Sequence, residues 1–201
     1  AILAKRYLLA LLSFFLVLVT MSVSFAADFI SREEFVDPGS AEYNNLYANG
    51  GALHFRSEIR GDIVVAGGDV YIESPIKDDI IAAGGRVSIL GNVGEDIRVA
   101  GGDVNIRTYV GGDIIATGAK VLIDESTESN GDIFLSGGDV SLYGMHSKDV
   151  KISAGKAKIG ALITGDLTLN ADQIEIVDGA RVKGELFYKA EDPIPELEAI
   201  V

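Results

Sequence analysis

Apolar and polar positions along this chain recur with a period of 17 residues from Asn45 to Glu185. Each copy opens with an acidic or amide residue, called the opener below, and two of the gaps between openers are lengthened to 19 residues. A fixed period of this size indicates a stack of one small unit, in which each copy contacts only its neighbours. The openers are Asn45, Asp62, Asp79, Asp96, Asp113, Asp132, Asp149, Asp166 and Glu185.

Four apolar positions in each copy predict β-structure. They lie one, three, eight and ten residues after the opener, as in Ile63, Val65, Val70 and Ile72. Two pairs at a spacing of two, made mostly of β-branched or aliphatic residues, predict two short strands per copy with alternate side chains pointing inward. A helix would need spacings of three and four along one face, and no copy sustains them.

Between the two pairs a double glycine recurs, which we expect to turn the strand through a corner by adopting positive φ. It is present as Gly67-Gly68, Gly84-Gly85, Gly101-Gly102 and Gly137-Gly138. A fifth apolar column before the next opener indicates a third side, formed by Ile59, Ile76, Val93, Val110, Ile163 and Val182. Three sides close a coil, so the sequence predicts an all-β, parallel β-solenoid of about eight coils, each 17–19 residues long.

Two longer copies predict irregular corners on this solenoid. The copy opened by Asp113 contains a polar run over 124–130 and lacks the fifth apolar residue, and the copy opened by Asp166 has two extra residues around Asp178. Insertions in a solenoid map to loops along one edge. We interpret both as surface bulges.

The N-terminus has the order of a secretory signal peptide. Lys5 and Arg6 precede an apolar run over 7–19, and the small residues Ser24 and Ala26 precede a cleavage point. The run is shorter than the roughly 20 residues of a membrane-spanning helix, which favours cleavage over an uncleaved anchor. We therefore predict a signal peptide at 1–26, a linker or N-terminal cap at 27–44, the solenoid at 45–190, and a C-terminal tail or linker at 191–201. The expected location is extracytoplasmic or at the cell surface, with membrane anchoring as the alternative.

The charge and the cysteine content of the chain argue against some classes of partner and of covalent modification. The formal net charge is −13 and the pI is about 4.5, which argues against a surface that binds nucleic-acid phosphates. The chain has no cysteine, so neither a disulfide framework nor lipid attachment through a thiol is available to it.

The stacked acidic openers suggest two chemistries. Carboxylates one above another are candidate calcium ligands, but the nonapeptide calcium pattern GGxGxDxUx is not present. We favour the other interpretation, in which each Asp accepts hydrogen bonds from backbone N–H groups at its own corner, as in an Asx turn. The sequence therefore predicts no metal and no cofactor.

Catalytic residues are not indicated. His54 lies between two inward residues and is expected to point outward, whereas His146 falls in the irregular fifth column beside Met145. No serine has a base partner placed by the repeat, so we predict that the chain is not an enzyme. The alternative is a β-helix protein that binds or cleaves surface polysaccharide, which would use a carboxylate pair.

An apolar outer column is the candidate functional feature. The position two residues after the opener should face outward, and it holds Tyr47, Val64, Ile81, Arg98, Ile115, Phe134, Lys151, Thr168 and Phe187. Contiguous exposed apolar residues usually mark a contact surface, so we predict self-association through Val64, Ile81, Ile115 and Phe134. The alternative is that the segment 27–43 folds back over this column, using Phe29, Ile30, Phe35 and Val36.

The run Gly61–Val70, GDIVVAGGDV, and its copies near Asp79, Asp96 and Asp132 resemble the bactofilin-like, polymer-forming β-helix proteins of bacteria. The resemblance covers about 45–188. It implies solenoids that stack end to end into filaments, serve as scaffolds and have no active site. The export signal departs from the cytoplasmic members and is similar to exported relatives, which often continue into C-terminal membrane segments. We therefore expect a structural module of the cell envelope whose partners are further copies of itself and envelope or membrane components.

Overall fold

A computed structural model describes residues 27–37, 39–189 and 200. The predicted signal peptide at 1–26 lies outside the described residues, and so does the predicted tail at 191–201 apart from Ile200. Within the described ranges the chain forms strands and no α-helix. Accordingly, these residues contain no helix that is long and apolar enough to span a membrane.

Sixteen strands follow one another along the described chain. They are β1 (Ala27–Ser31), β2 (Glu34–Val36), β3 (Asn45–Phe55), β4 (Ile63–Ile72), β5 (Ile80–Ile89), β6 (Ile97–Ile106), β7 (Tyr109–Val110), β8 (Ile114–Ile123), β9 (Glu128–Ser129), β10 (Ile133–Leu142), β11 (Met145–His146), β12 (Val150–Ile159), β13 (Leu162–Ile163), β14 (Leu167–Ile176), β15 (Arg181–Val182) and β16 (Leu186–Lys189).

The strands stack in register as a parallel solenoid, which confirms the predicted fold class. One sheet runs in the order β1-β3-β4-β5-β6-β8-β10-β12-β14-β16, and the two-residue strands form a second sheet of five. Each residue pairs with the residue one period away, as Ile80 does with Ile97. The stack has about ten turns rather than the eight expected, because β1 and β16 extend it at the two ends. At about 4.8 Å per strand the rod is about 43 Å long.

The glycine corner differs from the sequence expectation. Each regular copy forms one continuous ten-residue strand across the double glycine instead of two short strands. Positive φ occurs, among the described glycines, at Gly39, Gly144 and Gly179 and not at the double-glycine corners. What requires glycine there is the close approach of successive coils, since a Cβ on Gly68 or Gly102 would lie 2.7 Å from the carbonyl oxygen of the coil before.

The interior consists of stacked aliphatic side chains. The five predicted inward columns are buried through the middle of the rod, and Ile63, Ile80, Ile97 and Ile114 succeed one another with no exposed surface. Like residues on neighbouring strands pack directly together, which excludes water and stabilises the register. Sequence reasoning missed a sixth column of small residues at the corner before the third side: Ser57, Ser74, Gly91, Thr108, Thr127, Gly144, Ala161 and Ala180.

Residues 27–37 lie on the N-terminal end of the rod, where β1 and β2 both pair with β3. The buried Asp37 carboxylate pins this segment, because it accepts hydrogen bonds from the backbone N–H and hydroxyl of Ser57 and from the backbone N–H groups of Gly39 and Arg56. Burial by itself would raise the pKa of Asp37, but these bonds, led by those from Ser57, hold it below its ordinary value.

Candidate self-association face

One outward column runs the full length of the long sheet. Strand register aligns ten residues in a single file, and we call this file the ridge. Its members are Phe29, Tyr47, Val64, Ile81, Arg98, Ile115, Phe134, Lys151, Thr168 and Phe187. The repeat brings them together because the side-chain position two residues after the opener faces outward on every strand.

The four residues predicted for self-association all lie on the ridge. Ile81, Ile115 and Phe134 expose 46%, 43% and 39% of their surface, and Val64 is half-buried. Large aliphatic and aromatic side chains exposed in near succession are unusual on a filled rod. The structure therefore places the predicted residues on one continuous surface.

The segment 27–37 extends the ridge instead of covering it. Phe29 stacks on Tyr47 with ring centroids 5.2 Å apart and remains 74% exposed. Phe35 pairs in register with Leu53, on the far side of the glycine corner. The alternative of an N-terminal segment folded over the outer column is therefore wrong for these residues, and Ile81 and Phe134 stay open to solvent.

Two cations interrupt the ridge, and both have local partners. The Arg98 guanidinium donates to the carboxylates of Asp96 at 2.7 Å and Asp79 at 3.5 Å. The Lys151 ammonium lies 5.6 Å from the centroid of the Phe134 ring, a cation–π arrangement. Local partners reduce the cost of covering these charges with another apolar surface.

A groove runs beside the ridge. The next outward file, the small-residue column, consists of Ser31, Asn49, Ala66, Ala83, Ala100, Thr117, Ser136, Ser153 and Asn170, and ends at Lys189. The height difference between the two files creates an apolar groove of about 580 Å³ from Phe29 to Ala83 and another of about 330 Å³ from Phe134 to Asn170. This face therefore has a ridge and a groove in parallel.

The acidic openers act as a hydrogen-bond ladder. The side-chain Oδ1 of each opener from Asn45 to Asp166 accepts from the backbone N–H of the opener one coil later, at 2.8 to 3.2 Å. The predicted Asx turn is wrong at these corners, because the donor belongs to the next coil and not to the same corner. Each side chain thereby satisfies a backbone donor between coils.

The ladder predicts different effects for two substitutions at one opener. Asp113→Ala leaves the N–H of Asp132 without its acceptor and should cost about 1–3 kcal/mol of unfolding free energy. Asp113→Asn keeps a carbonyl oxygen in place, so chemical denaturation should give nearly the wild-type value. Equal losses in the two variants would mean that the carboxylate charge, and not the acceptor, holds the corner.

Metal binding by the openers stays a separate question. Among the described residues, no group of three or more His, Asp or Glu side chains is arranged to hold a metal ion. We expect calcium to leave the melting temperature unchanged. A saturable rise that disappears in Asp96→Asn would instead support a calcium ladder.

A column of alternating charge lies just past the glycine corner, and sequence reasoning missed it. Strand register places acidic and basic side chains in turn along it: Asp69, Arg86, Asp103, Lys120, Asp139 and Lys156. Arg86 and Asp69 form an ion pair at 3.1 Å. Opposite charges directly across neighbouring strands stabilise the observed register.

Sequence reasoning also missed a buried polar pair in the fifth column. Ser129 and His146 occupy the interior positions between Val110 and Ile163, and Ser129 Oγ lies 2.9 Å from His146 Nδ1. His146 Nε2 lies 2.7 Å from the Tyr143 carbonyl oxygen, which can only accept, so the ring carries its proton on Nε2. Burial lowers the pKa of His146 to about 4.

This pair has the residue types of a nucleophile and its base, but its surroundings are those of a core. Ser129 and His146 expose 1% and 2% of their surface. A reacting substrate must reach the serine oxygen, and here that oxygen is packed inside the third side. We interpret the pair as a polar substitute for two aliphatic residues of the column.

A second, shorter apolar patch lies on the outside of the third side. Met145 and Leu162 are half exposed there, beside a groove of about 380 Å³ that Arg181 and Lys183 also line. Ile200 closes one end of it, where its carbonyl oxygen accepts from the Val182 N–H at 2.7 Å. The patch is shorter than the ridge and mixed with charges, so the ridge is the better candidate for a contact surface.

Searches against protein-family models, curated proteins and solved structures found no match to this chain.

Proposed function

We propose that this chain is a non-enzymatic structural and assembly module of the bacterial cell envelope, which associates with further copies of itself through the ridge. The observation that carries the proposal is the file of large apolar side chains along the rod, with Ile81, Ile115 and Phe134 exposed by about two-fifths each. Solvent exposure of this kind is unfavourable unless another surface covers it. The cell-envelope location is supported by the signal-peptide pattern.

The fold suits a scaffold. Ten stacked strands joined by in-register hydrogen bonds make a stiff, straight element, and the aliphatic columns fill its interior. Residues that vary from coil to coil lie on the outside, where they set what the rod contacts. The resemblance to bactofilin-like proteins, which form polymers, adds support for a scaffolding role.

The ridge predicts weak and reversible association. Complete burial of one large apolar side chain contributes about 1.5–3 kcal/mol, and Ile81, Ile115 and Phe134 have already buried more than half of their surface. Each therefore has about 1 kcal/mol left to contribute, or about 6 kcal/mol for two copies. That gain is comparable to the loss of translational and rotational freedom on association, so the complex should form at high protein concentration or where copies are held together.

The test is a double substitution on the ridge. Ile81→Lys/Phe134→Lys puts two cations on the contact surface and should abolish the increase of apparent mass with concentration that we expect light scattering to detect for the wild type. The matched control is Ser88→Lys/Ser141→Lys, which adds the same charges to the same two strands on the far side of the glycine corner.

The control variant should associate as the wild type does. A wild-type protein that stays monomeric at high concentration would contradict the proposal. So would an oligomer that the ridge substitutions leave unchanged, because it would have to form through the ends of the rod or the third side.

A further inference from the structure

We propose that the partner on this face is a second copy in parallel orientation, related by a two-fold axis along the rod, with the ridge of each copy in the groove of the other. This inference rests on the proposed function and specifies its geometry. It follows from the shape of the face, the distribution of charge and the symmetry of a closed pair.

Shape and symmetry together select the orientation. A two-fold axis perpendicular to the rod, lying in the contact plane, reverses the rod direction but keeps the order of the two files. It therefore sets ridge on ridge and leaves groove facing groove. A two-fold axis along the rod, placed between the files, exchanges them and lays Ile81 against Ala83 of the second copy. Well-packed interfaces approach the density of protein interiors, which favours the second arrangement.

A pure rotation about the rod axis also fixes the register. Every coil stays at its own height, so each residue of the ridge meets the small residue of the same strand in the second copy. Val64 then lies against Ala66, and Phe134 lies against Ser136. In this closed two-fold pair both copies use the same surface, and the ridge and the small-residue column of each copy are covered by the other copy.

The charges are compatible with this pairing. The ridge carries Arg98 and Lys151, whereas the charge of the small-residue column is confined to Lys189 at its C-terminal end. In the parallel pair Arg98 lies against Ala100, and Lys151 lies against Ser153. If the ridges of two parallel copies faced each other instead, Arg98 would lie against Arg98 and Lys151 against Lys151. Such like-charge contacts are unfavourable.

The area agrees with weak association. A strip about 43 Å long and about 10 Å wide covers about 430 Å² on each copy, which is about half of what stable complexes bury per partner. We therefore expect a pair that forms at high protein concentration, which agrees with the small free-energy gain from burying the apolar side chains of the ridge.

The orientation can be measured with spin labels, because the chain contains no cysteine and accepts single labelled sites. Ala52→Cys, Asp103→Cys and Gln173→Cys place labels in one exposed file beyond the glycine corner, at three heights that span about 34 Å. Each variant carries one label per copy, so double electron–electron resonance reports the distance between the two copies. The protein is used at a concentration at which light scattering detects association.

The parallel pair predicts the same inter-copy distance at all three sites, because every height is preserved. An axis perpendicular to the rod makes the distance longer at the two outer sites than at the middle one, which would overturn the parallel geometry and leave lateral self-association standing. No inter-copy distance at any of the three sites would contradict lateral association itself, since a side-by-side pair of rods this short keeps its labels within range.

Discussion

The Ile97→Asp variant is expected to lose most or all of its folding stability. Ile97 has no exposed surface and lies between Ile80 and Ile114 in the interior column that follows the openers. A carboxylate there has no cation or hydrogen-bond donor among the aliphatic side chains, and an unpaired buried charge costs several kcal/mol. Circular dichroism should show an unfolded chain or a melting temperature reduced by tens of degrees.

The matched control is Ile81→Asp, the same chemical change at an outward position one strand earlier. Ile81 keeps 46% of its surface in solvent, so its substitution should change the melting temperature little. If Ile97→Asp melted like the wild type, the assignment of inward columns, and with it the solenoid, would be wrong.

The second large effect is a loss of stability between pH 6.5 and pH 4, caused by His146. Its pKa is lowered from 6.5 to about 4 by burial. In this interval the unfolded chain binds a proton that the folded chain excludes. Stability is therefore complete above pH 6.5 and falls as the pH drops through the interval. At 1.36 kcal/mol per pKa unit, the loss by pH 4 amounts to about 3 kcal/mol.

Urea denaturation at a series of pH values measures this loss. The variant Ser129→Ala/His146→Val restores an apolar column and removes both partners of the hydrogen bond. Its unfolding free energy should lack the His146 contribution and so fall less than that of the wild type between pH 6.5 and pH 4. Asp37 acts at lower pH, since its pKa lies below 3.8. Identical pH profiles for the two proteins would show that His146 is not buried in its neutral form.

The features that recur in every coil could be predicted from the sequence. Polar residues inside an apolar column and contacts between successive coils could not. The inward columns could be found because every coil needs an aliphatic residue at the same places. Ser129 was missed because it lies in the polar run of a longer copy, which resembles a loop, and His146 because it is a polar residue in an otherwise apolar column, although register keeps both inside the third side. No local pattern signals that two such residues, one coil apart, pair with each other.

Contacts between coils were the other feature beyond reach of the sequence. A double glycine within a strand has two physical explanations, positive φ or close backbone approach, and the carbonyl oxygens above Gly68 and Gly102 decide for the second. The openers likewise bond to the next coil and not to their own corner, as Asp96 does with the Asp113 N–H. The candidate face was predictable because its residues share one place in the repeat, whereas the groove beside it depends on the stacked neighbours.

Small-angle X-ray scattering across a concentration series tests lateral self-association most directly, because a rod reports its length and its cross-section separately. Lateral association predicts that the cross-sectional radius of gyration increases with concentration while the length stays near that of one rod, about 43 Å. A length that increases at constant cross-section would mean association through the ends. If neither dimension changed, the ridge would not be a self-association surface. Either of these two results would contradict lateral self-association through the ridge.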